Sequence, residues 1–365
     1  TLVGAAAGSA PVFVLARIGQ GLGCAALIAC GLGLIGAAFA SGQDRARATG
    51  VWGASVGAGI ACGPLLAAVA DPVLGWRWPY VLIAALTTGL AVLARFLLVE
   101  SRAEVAHPVD VVGAVLLGVG LSTVLAGLVI GRTGWLQPRA LLLLAGGALL
   151  LVAFALAEWH LGRRGGAPLL ELRLFHRADF VAVTVAGLST GLGVIAVMSF
   201  LPTVLERGMG RSALLASLGL VIWSGISVPT ALAARRLRVR GELQLAAGLL
   251  VVAAGMVSLT GLGPSDGLVR LTPGLIVAGL GSGVLNAALG RQAVASVPPG
   301  RAGMGSGVNN TARYLGSALG VTVVGVLATR PGAGGLLVNW DEAILVSIGF
   351  SVLGAIAVLL CARRR

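Results

Sequence analysis

The sequence contains no lysine: all 26 of its basic residues are arginine. That excludes a Walker-type phosphate loop and a Schiff-base enzyme, both of which need a lysine amine. Charge of either sign is scarce, at 11% of 365 residues, against about 25% in soluble domains. A mean hydropathy of +0.99 excludes a disordered chain as well. Cysteine is limited to Cys24, Cys30, Cys62 and Cys361. They have no CxxC spacing and fall in or at the ends of apolar runs, where a buried small hydrophobe fits better than a disulfide or a ligand. His107, His160 and His176 are scattered without metal-ligand spacing, so no metal or other cofactor is expected. No nucleophile–base pair is legible, and an enzyme is not expected. A net charge of +13 would point to nucleic acid in a soluble protein. Here the arginines stand in short segments between apolar runs, where they set membrane orientation instead.

What is abundant is apolar: 57% of residues are hydrophobic, and 57 are glycine. After a stub at 1–10 the sequence predicts eleven helices, at 11–40, 48–70, 79–98, 111–131, 139–159, 180–204, 212–234, 243–263, 272–296, 306–328 and 343–362. Most runs are close to the roughly 20 residues that cross about 30 Å of hydrocarbon; the first is too long for a perpendicular span and either tilts or begins later than Pro11. The chain is therefore read as an all-α, polytopic membrane protein with the lipid bilayer as its first partner. Glycine and alanine within the runs favour close helix approach. The chain opens at Thr1 inside an apolar stretch without a basic leader, which reads as a chain missing its beginning.

Orientation follows from the arginines. Seventeen fall on the side of the 41–47 loop and seven on the other, which places the C-terminus in the cytoplasm. Trp76, Trp78, Trp135 and Trp340 then lie in or beside outer loops, as an interfacial belt. The longest cytoplasmic connection, 161–179, carries four arginines, Pro168 and the amphipathic run Leu169–Phe175. It reads as a linker between two bundles, with an ordinary loop as the alternative. Gly21-Leu22-Gly23, Ala40-Ser41 and Arg47-Ala48 recur as Gly279-Leu280-Gly281, Ala295-Ser296 and Arg301-Ala302, either an echo of the kind that parallel repeats leave in transporters or a chance match in a chain rich in glycine and alanine.

Some polar residues sit where they are costly. Arg17 lies inside a span, at about 2.5–3.5 kcal/mol on insertion scales. Gln20 and Gly21 share its face; it either faces a wet interior or snorkels to the interface. The next span carries Gly59, Gly63 and Pro64, of which the proline bends the helix and the glycines allow a close crossing. Asn309, Asn310 and Arg313 open a late span, with Asn286 in the span before; they line a cavity or form a helix–helix hydrogen-bond cluster. No carboxylate stands in the middle of a span: Asp71, Asp110, Glu158 and Glu206 are all near ends.

These residues resemble the major facilitator superfamily, in its fourteen-span drug:proton antiporter branch. Arg17-Ile18-Gly19-Gln20-Gly21-Leu22-Gly23-Cys24-Ala25 is similar to a fourth-helix motif, RxxQGxGxA. Gly59-Ile60-Ala61-Cys62-Gly63-Pro64-Leu65-Leu66-Ala67-Ala68 is similar to the fifth-helix antiporter motif GxxxGPxxGG, with alanines for the last two glycines. Trp76-Arg77-Trp78-Pro79-Tyr80 resembles the WRWxF signature, and the stretch from Gly305 to Gly320 the NxxRxxGxxxG pattern.

The resemblance implies the major facilitator fold, two pseudo-symmetric bundles plus two extra central helices, with the first two and a half helices missing. It divides the chain into the remainder of an N-terminal bundle at 1–100, two extra spans at 101–165 and a six-helix C-terminal bundle at 166–365. It also implies proton-coupled efflux of amphipathic organic compounds, such as drugs and antibiotics, by alternating access across the inner (plasma) membrane. The partners are then a small amphipathic substrate and protons, and the protein acts as a monomer. Arg17 and Gln20 would serve proton coupling, Gly59, Gly63 and Pro64 gating, and Asn286, Asn309, Asn310 and Arg313 the substrate cavity. The acidic proton carrier would lie in the missing helices. A facilitator or importer of one metabolite, and a non-transporting remnant or sensor, are the alternatives.

Overall fold

The structure is a computed structural model describing residues 1–39, 42–98, 110–131, 134, 136–164, 166, 168–234, 236–237, 239–298, 301–330 and 335–363, and those residues are helical throughout apart from turns. A single turn, α1 (Leu2–Ala5), precedes α2 (Ala10–Ala38), α3 (Gln43–Leu74) and α4 (Trp78–Leu97). Two further helices follow, α5 (Val111–Gly131) and α6 (Pro138–Arg163). Beyond the linker, α7 (Ala178–Ser189) and α8 (Ala196–Thr203) are joined by a π-helical turn, Thr190–Ile195. A second π turn, Val204–Gly208, completes one continuous span, Ala178–Gly208. Then come α9 (Ala213–Ala234), α10 (Gly241–Val257), α11 (Leu268–Ala295), α12 (Ala302–Ala328) and α13 (Gly335–Arg363).

Ten of these are long and apolar enough to cross a membrane, and α10 is a shorter apolar helix. Together they match the eleven expected segments, and the chain is a multi-pass membrane protein. Helix is the outcome because hydrocarbon leaves each backbone N–H and C=O no other partner. Prolines open several helices, at Pro11, Pro79 and Pro138, where the missing N–H costs nothing. Gly42 (φ 88°) and Gly75 (φ 78°) flank α3 in a backbone conformation that side chains disfavour.

The main core lies in the C-terminal helices. Ala186, Val197, Trp223, Leu249, Leu275 and Trp340 belong to one buried cluster spanning α7 to α13. By contrast α2 has an exposed apolar surface, and its main helix neighbour is α12. The α5–α6 hairpin packs on itself through glycines spaced seven residues apart, Gly113, Gly120 and Gly127. A Cβ at Gly127 would come within 2.9 Å of Leu144, and one at Gly147 within 2.7 Å of Val124.

The linker after α6 forms a 3₁₀ turn, Leu172–His176. Its Leu174 is buried with Phe180 and Val297, the Leu170 N–H donates to Glu158 Oε2 at 2.9 Å, and Glu171 pairs with Arg301. It is therefore pinned to α6 on one side and to the head of α12 on the other.

Two expectations need correcting. Cys24, Cys30 and Cys62 are exposed rather than buried, because the faces of α2 and α3 that carry them are uncovered; Cys361 is half-buried. Trp340 is no interfacial residue, because α13 starts earlier than expected and encloses it. It is fully buried, its Nε1–H donates to the Leu259 carbonyl at 2.9 Å, and its ring stacks on Phe200. Trp76 and Trp78 are exposed as expected. The echo positions differ in surroundings: Gly21 and Gly23 face open space, whereas Gly279 and Gly281 press on the backbones of α9 and α10. Expectations placed on His107, Trp135, Ala40-Ser41, Arg102, Arg132, Arg235, Arg238, Arg364 and Arg365 lie outside the described residues.

Candidate transport path

The path begins where α3 leaves its neighbours. Over its first half α3 presses on α9 and α11: a Cβ at Gly53 would lie 3.6 Å from the Ala287 backbone, and one at Gly57 2.5 Å from Ser227 Oγ. At the same end α2 meets α12, where a Cβ at Gly36 would lie 2.9 Å from that of Ala302. Arg45 ties this end together by donating to the Gly36 and Phe39 carbonyls at 2.8 and 2.9 Å, a cation on the last turn of α2. From Gly59 onward nothing stands within 4 Å of the glycine positions. The close crossing expected at Gly59 and Gly63 is made six residues earlier, by Gly53 and Gly57.

Two cavities fill the opening, one beyond the other along α3. The central cavity, about 610 Å³, is walled by Val56, Gly57, Ile60 and Pro64 of α3 and by Trp223, Ser224 and Ser227 of α9. Ser282 and Asn286 of α11 and Arg313 and Tyr314 of α12 complete it, with Thr190, Val194 and Ile195 from the π turn. That turn sits tightly on α12, where a Cβ at Gly316 would fall on the Leu188 carbonyl and one at Gly320 on that of Leu192. The extra residue of a π turn widens the helix and re-aims side chains, which is why such turns recur at functional sites.

The outer cavity, about 590 Å³, is lined by Arg17, Gly63, Pro64, Asp71, Trp76 and Tyr80, and by Pro202, Glu206 and Ser217 from the opposite wall. Arg17 is exposed to it; its guanidinium donates to Gln20 Oε1 and lies 5.8 Å from the Tyr80 ring centre. The Trp76–Tyr80 motif acts as a clasp. Arg77 donates to the Ala5 and Ala7 carbonyls at 3.0 and 3.4 Å and stacks on Trp76. Phe13, Trp76 and Tyr80 pack edge to face around it.

The late-span polar residues diverge. Arg313 and Asn286 line the central cavity. Asn310 lines a separate apolar pocket of about 290 Å³ with Ala25 and Leu125, and its Nδ2 donates to the Ser306 carbonyl at 3.0 Å. Asn309 is buried against α7, where a Cβ at Gly187 would lie 2.6 Å from its Oδ1. Neighbours in sequence stand about 100° apart on a helix, so adjacent asparagines cannot serve one face.

Sequence reasoning missed Trp223, Ser224 and Ser282 in the central wall, and Pro202. It also set aside Asp71 and Glu206, which share the outer cavity with Arg17. A tryptophan in mid-span was the one available signal. Among the described residues no group of three His, Cys, Asp or Glu side chains could hold a metal.

Residues 1–321 match the family model of the Major Facilitator Superfamily. The chain is 36% identical over 323 residues to the "Probable actinorhodin transporter" of Streptomyces coelicolor, covering 86% of this chain and 56% of that protein. It is 35% identical over 342 residues to "Puromycin resistance protein pur8" of Streptomyces alboniger, covering 90% and 66% respectively. Against "Multidrug resistance protein Stp" of Mycobacterium tuberculosis it is 30% identical over 332 residues, covering 89% and 61%. The chain thus spans between 56% and 66% of the length of these relatives. With eleven apolar helices among the described residues, a cavity between α3 and the C-terminal helices, and this similarity along most of its length, the chain belongs to the Major Facilitator Superfamily, a family of membrane transporters and not of enzymes.

Proposed function

We propose that this chain forms the larger part of an exporter that moves drug-like, amphipathic organic compounds out of the cell in exchange for protons. It acts by alternating access in the plasma membrane, as a monomer with its C-terminus in the cytoplasm. The observation that carries the reading is the wedge between α3 and the C-terminal helices, shut over Gly50–Gly57 and open around Pro64. With the arginine-rich end taken as cytoplasmic, that wedge is closed inward and open outward.

Residues 1–100 and 166–365 would be the two rocking bodies, 101–165 the extra helices, and the pinned linker the tie between them. The central cavity suits broad specificity, since its wall is mostly apolar with a few fixed polar groups. Drug efflux is supported by relatives named for antibiotic transport and for puromycin and multidrug resistance. Arg17 and Gln20, beside Asp71 and Glu206, would serve the coupling step; Gly59, Gly63 and Pro64 would line the moving wall.

The test is transport by inverted membrane vesicles containing the protein. Acidifying the lumen should drive uptake of a fluorescent drug such as Hoechst 33342, and a protonophore should abolish it. Uptake that ignores the pH gradient would remove proton exchange from the reading, and no uptake of any drug would remove export.

A further inference from the structure

We propose that the central cavity selects substrates bearing an acidic group, a carboxylate or an acidic enol or phenol, on a flat apolar body, and that Arg313 binds that group. This deepens the export reading above and rests on it only for the direction of movement.

Three observations carry it. Arg313 lines the cavity while being only 6% exposed, and its Nε–H has no hydrogen-bond partner. Its guanidinium brings five N–H donors and a positive charge, yet among the described residues no carboxylate pairs with it. The Tyr314 ring, 5.4 Å away, gives partial compensation through its face. A buried charge without a counter-ion is held at a cost, and inside a membrane protein it marks a ligand path.

Across the cavity, Ser224 Oγ is a second unpartnered polar atom, on a residue 1% exposed. Three of the other hydroxyls are engaged, while those of Ser199 and Tyr314 also line the cavity. Thr190 donates to the Ala186 carbonyl, Ser227 donates to that of Ser224, and Ser282 accepts from Trp223 Nε1 at 2.9 Å. Arg313 is the one charged group among the described residues of the wall, and no Asp or Glu lines it.

A cationic drug would meet an uncompensated like charge there. An anion would meet the planar fork that binds carboxylates well. The apolar remainder, with Trp223, Leu220, Leu285, Ile60 and Met198, would cover a ring system.

The experiment compares equilibrium binding of 1-hydroxy-2-naphthoic acid, its methyl ester and ethidium to the purified protein. The acid should bind about tenfold or more tighter than the ester, the gap one charge-assisted pairing provides. Arg313→Gln should bring the acid down to the ester's affinity, and Arg313→Lys should keep part of the preference. Ser224→Ala should weaken the acid severalfold without any change of charge. Arg330→Gln, at an exposed ion pair, should leave all three unchanged.

Equal binding of acid and ester by the unaltered protein, or a preference that survives Arg313→Gln, overturns the proposal. So does ethidium binding tightest. If Arg313→Gln does not fold, the acid–ester comparison and Ser224→Ala decide. Vesicle transport separates the two readings: an Arg313-dependent preference without transport leaves the acid site standing and removes export. Ethidium export without acid preference does the reverse.

Discussion

Pro64 on α3 and Pro202 on α8 each line both the central and the outer cavity, so the passage between the two chambers runs between two prolines on opposite walls. Each proline removes one backbone hydrogen bond and crowds the carbonyl four residues earlier, and Pro202 stands two residues before the second π turn. Both walls therefore have a loosened backbone at the same level of the path. Pro202→Ala restores the missing N–H and stiffens that wall. Initial rates of drug uptake into inverted vesicles should fall and apparent affinity should change with them, as for hinge positions generally, while protein levels in the membrane stay the same. Rates equal to those of the unaltered protein would show that Pro202 only shapes the wall.

The two glycine sets of α3 make opposite predictions. Gly57→Leu must push α3 off Ser227 and Val228, with an overpacking cost of about 1–3 kcal/mol. Gly63→Leu enters open space and should change stability by less than about 0.5 kcal/mol. It nonetheless fills part of the outer cavity and should slow transport. Thermal unfolding of the detergent-purified variants, beside vesicle uptake, checks both. A larger loss of stability at Gly63 than at Gly57 would place the helix crossing at the motif glycines after all.

These contrasts show how much of the molecule was legible in its sequence. The spans were, because hydropathy over about 20 residues is a one-dimensional property. Which glycines of α3 touch a partner was not, since Gly53, Gly57, Gly59 and Gly63 all look alike until the rotation of the helix is fixed by packing. Trp340, beside Asp341 and Glu342, reads as interfacial, and only the longer α13 reveals it as core. Asp71 and Glu206 were passed over for their position near helix ends, although the cavity reaches that depth. The π turn at Thr190–Ile195 has no sequence signal, because the backbone contact of Gly191 and Gly316 that accompanies it joins residues far apart in the chain.

The linker carries the next prediction. Arg301 and Glu171 are partly exposed, so their pair is worth only about 0.2–1 kcal/mol. Arg301→Gln should leave the melting temperature nearly unchanged and speed trypsin cleavage around Arg173 and Arg177. Exchanging the charges, Glu171→Arg with Arg301→Glu, should restore resistance. Unchanged cleavage in the single variant would mean that the Leu174–Phe180–Val297 cluster alone holds the segment.

Exposure of Cys24, Cys30 and Cys62 on membrane-length helices gives a test of what surrounds them. In membranes containing this 365-residue chain, the apolar reagent N-phenylmaleimide should label these thiols, and a charged maleimide should not until detergent is added. Labelling by the charged reagent in intact membranes would place that face of α2 and α3 against water.

Arg17 gives the last and most direct prediction. Its guanidinium stands in the outer cavity with Asp71 and Glu206, yet its hydrogen bond goes to Gln20 on its own helix. A cation held in this way stays available, and the lack of a fixed ion pair means that its removal strands no buried charge. Arg17→Ala should therefore insert and fold normally, because an exposed side chain away from the core contributes within about 0.5 kcal/mol. The same change should nonetheless abolish pH-driven drug uptake by inverted vesicles. Arg17→Lys should keep part of it, since charge without the planar fork satisfies attraction but not geometry. If Arg17→Ala transports at the unaltered rate, the arginine only snorkels at the rim of the cavity and coupling must be sought at Asp71 or Glu206. If it fails to reach the membrane, Arg17 is a packing residue, which its exposure argues against.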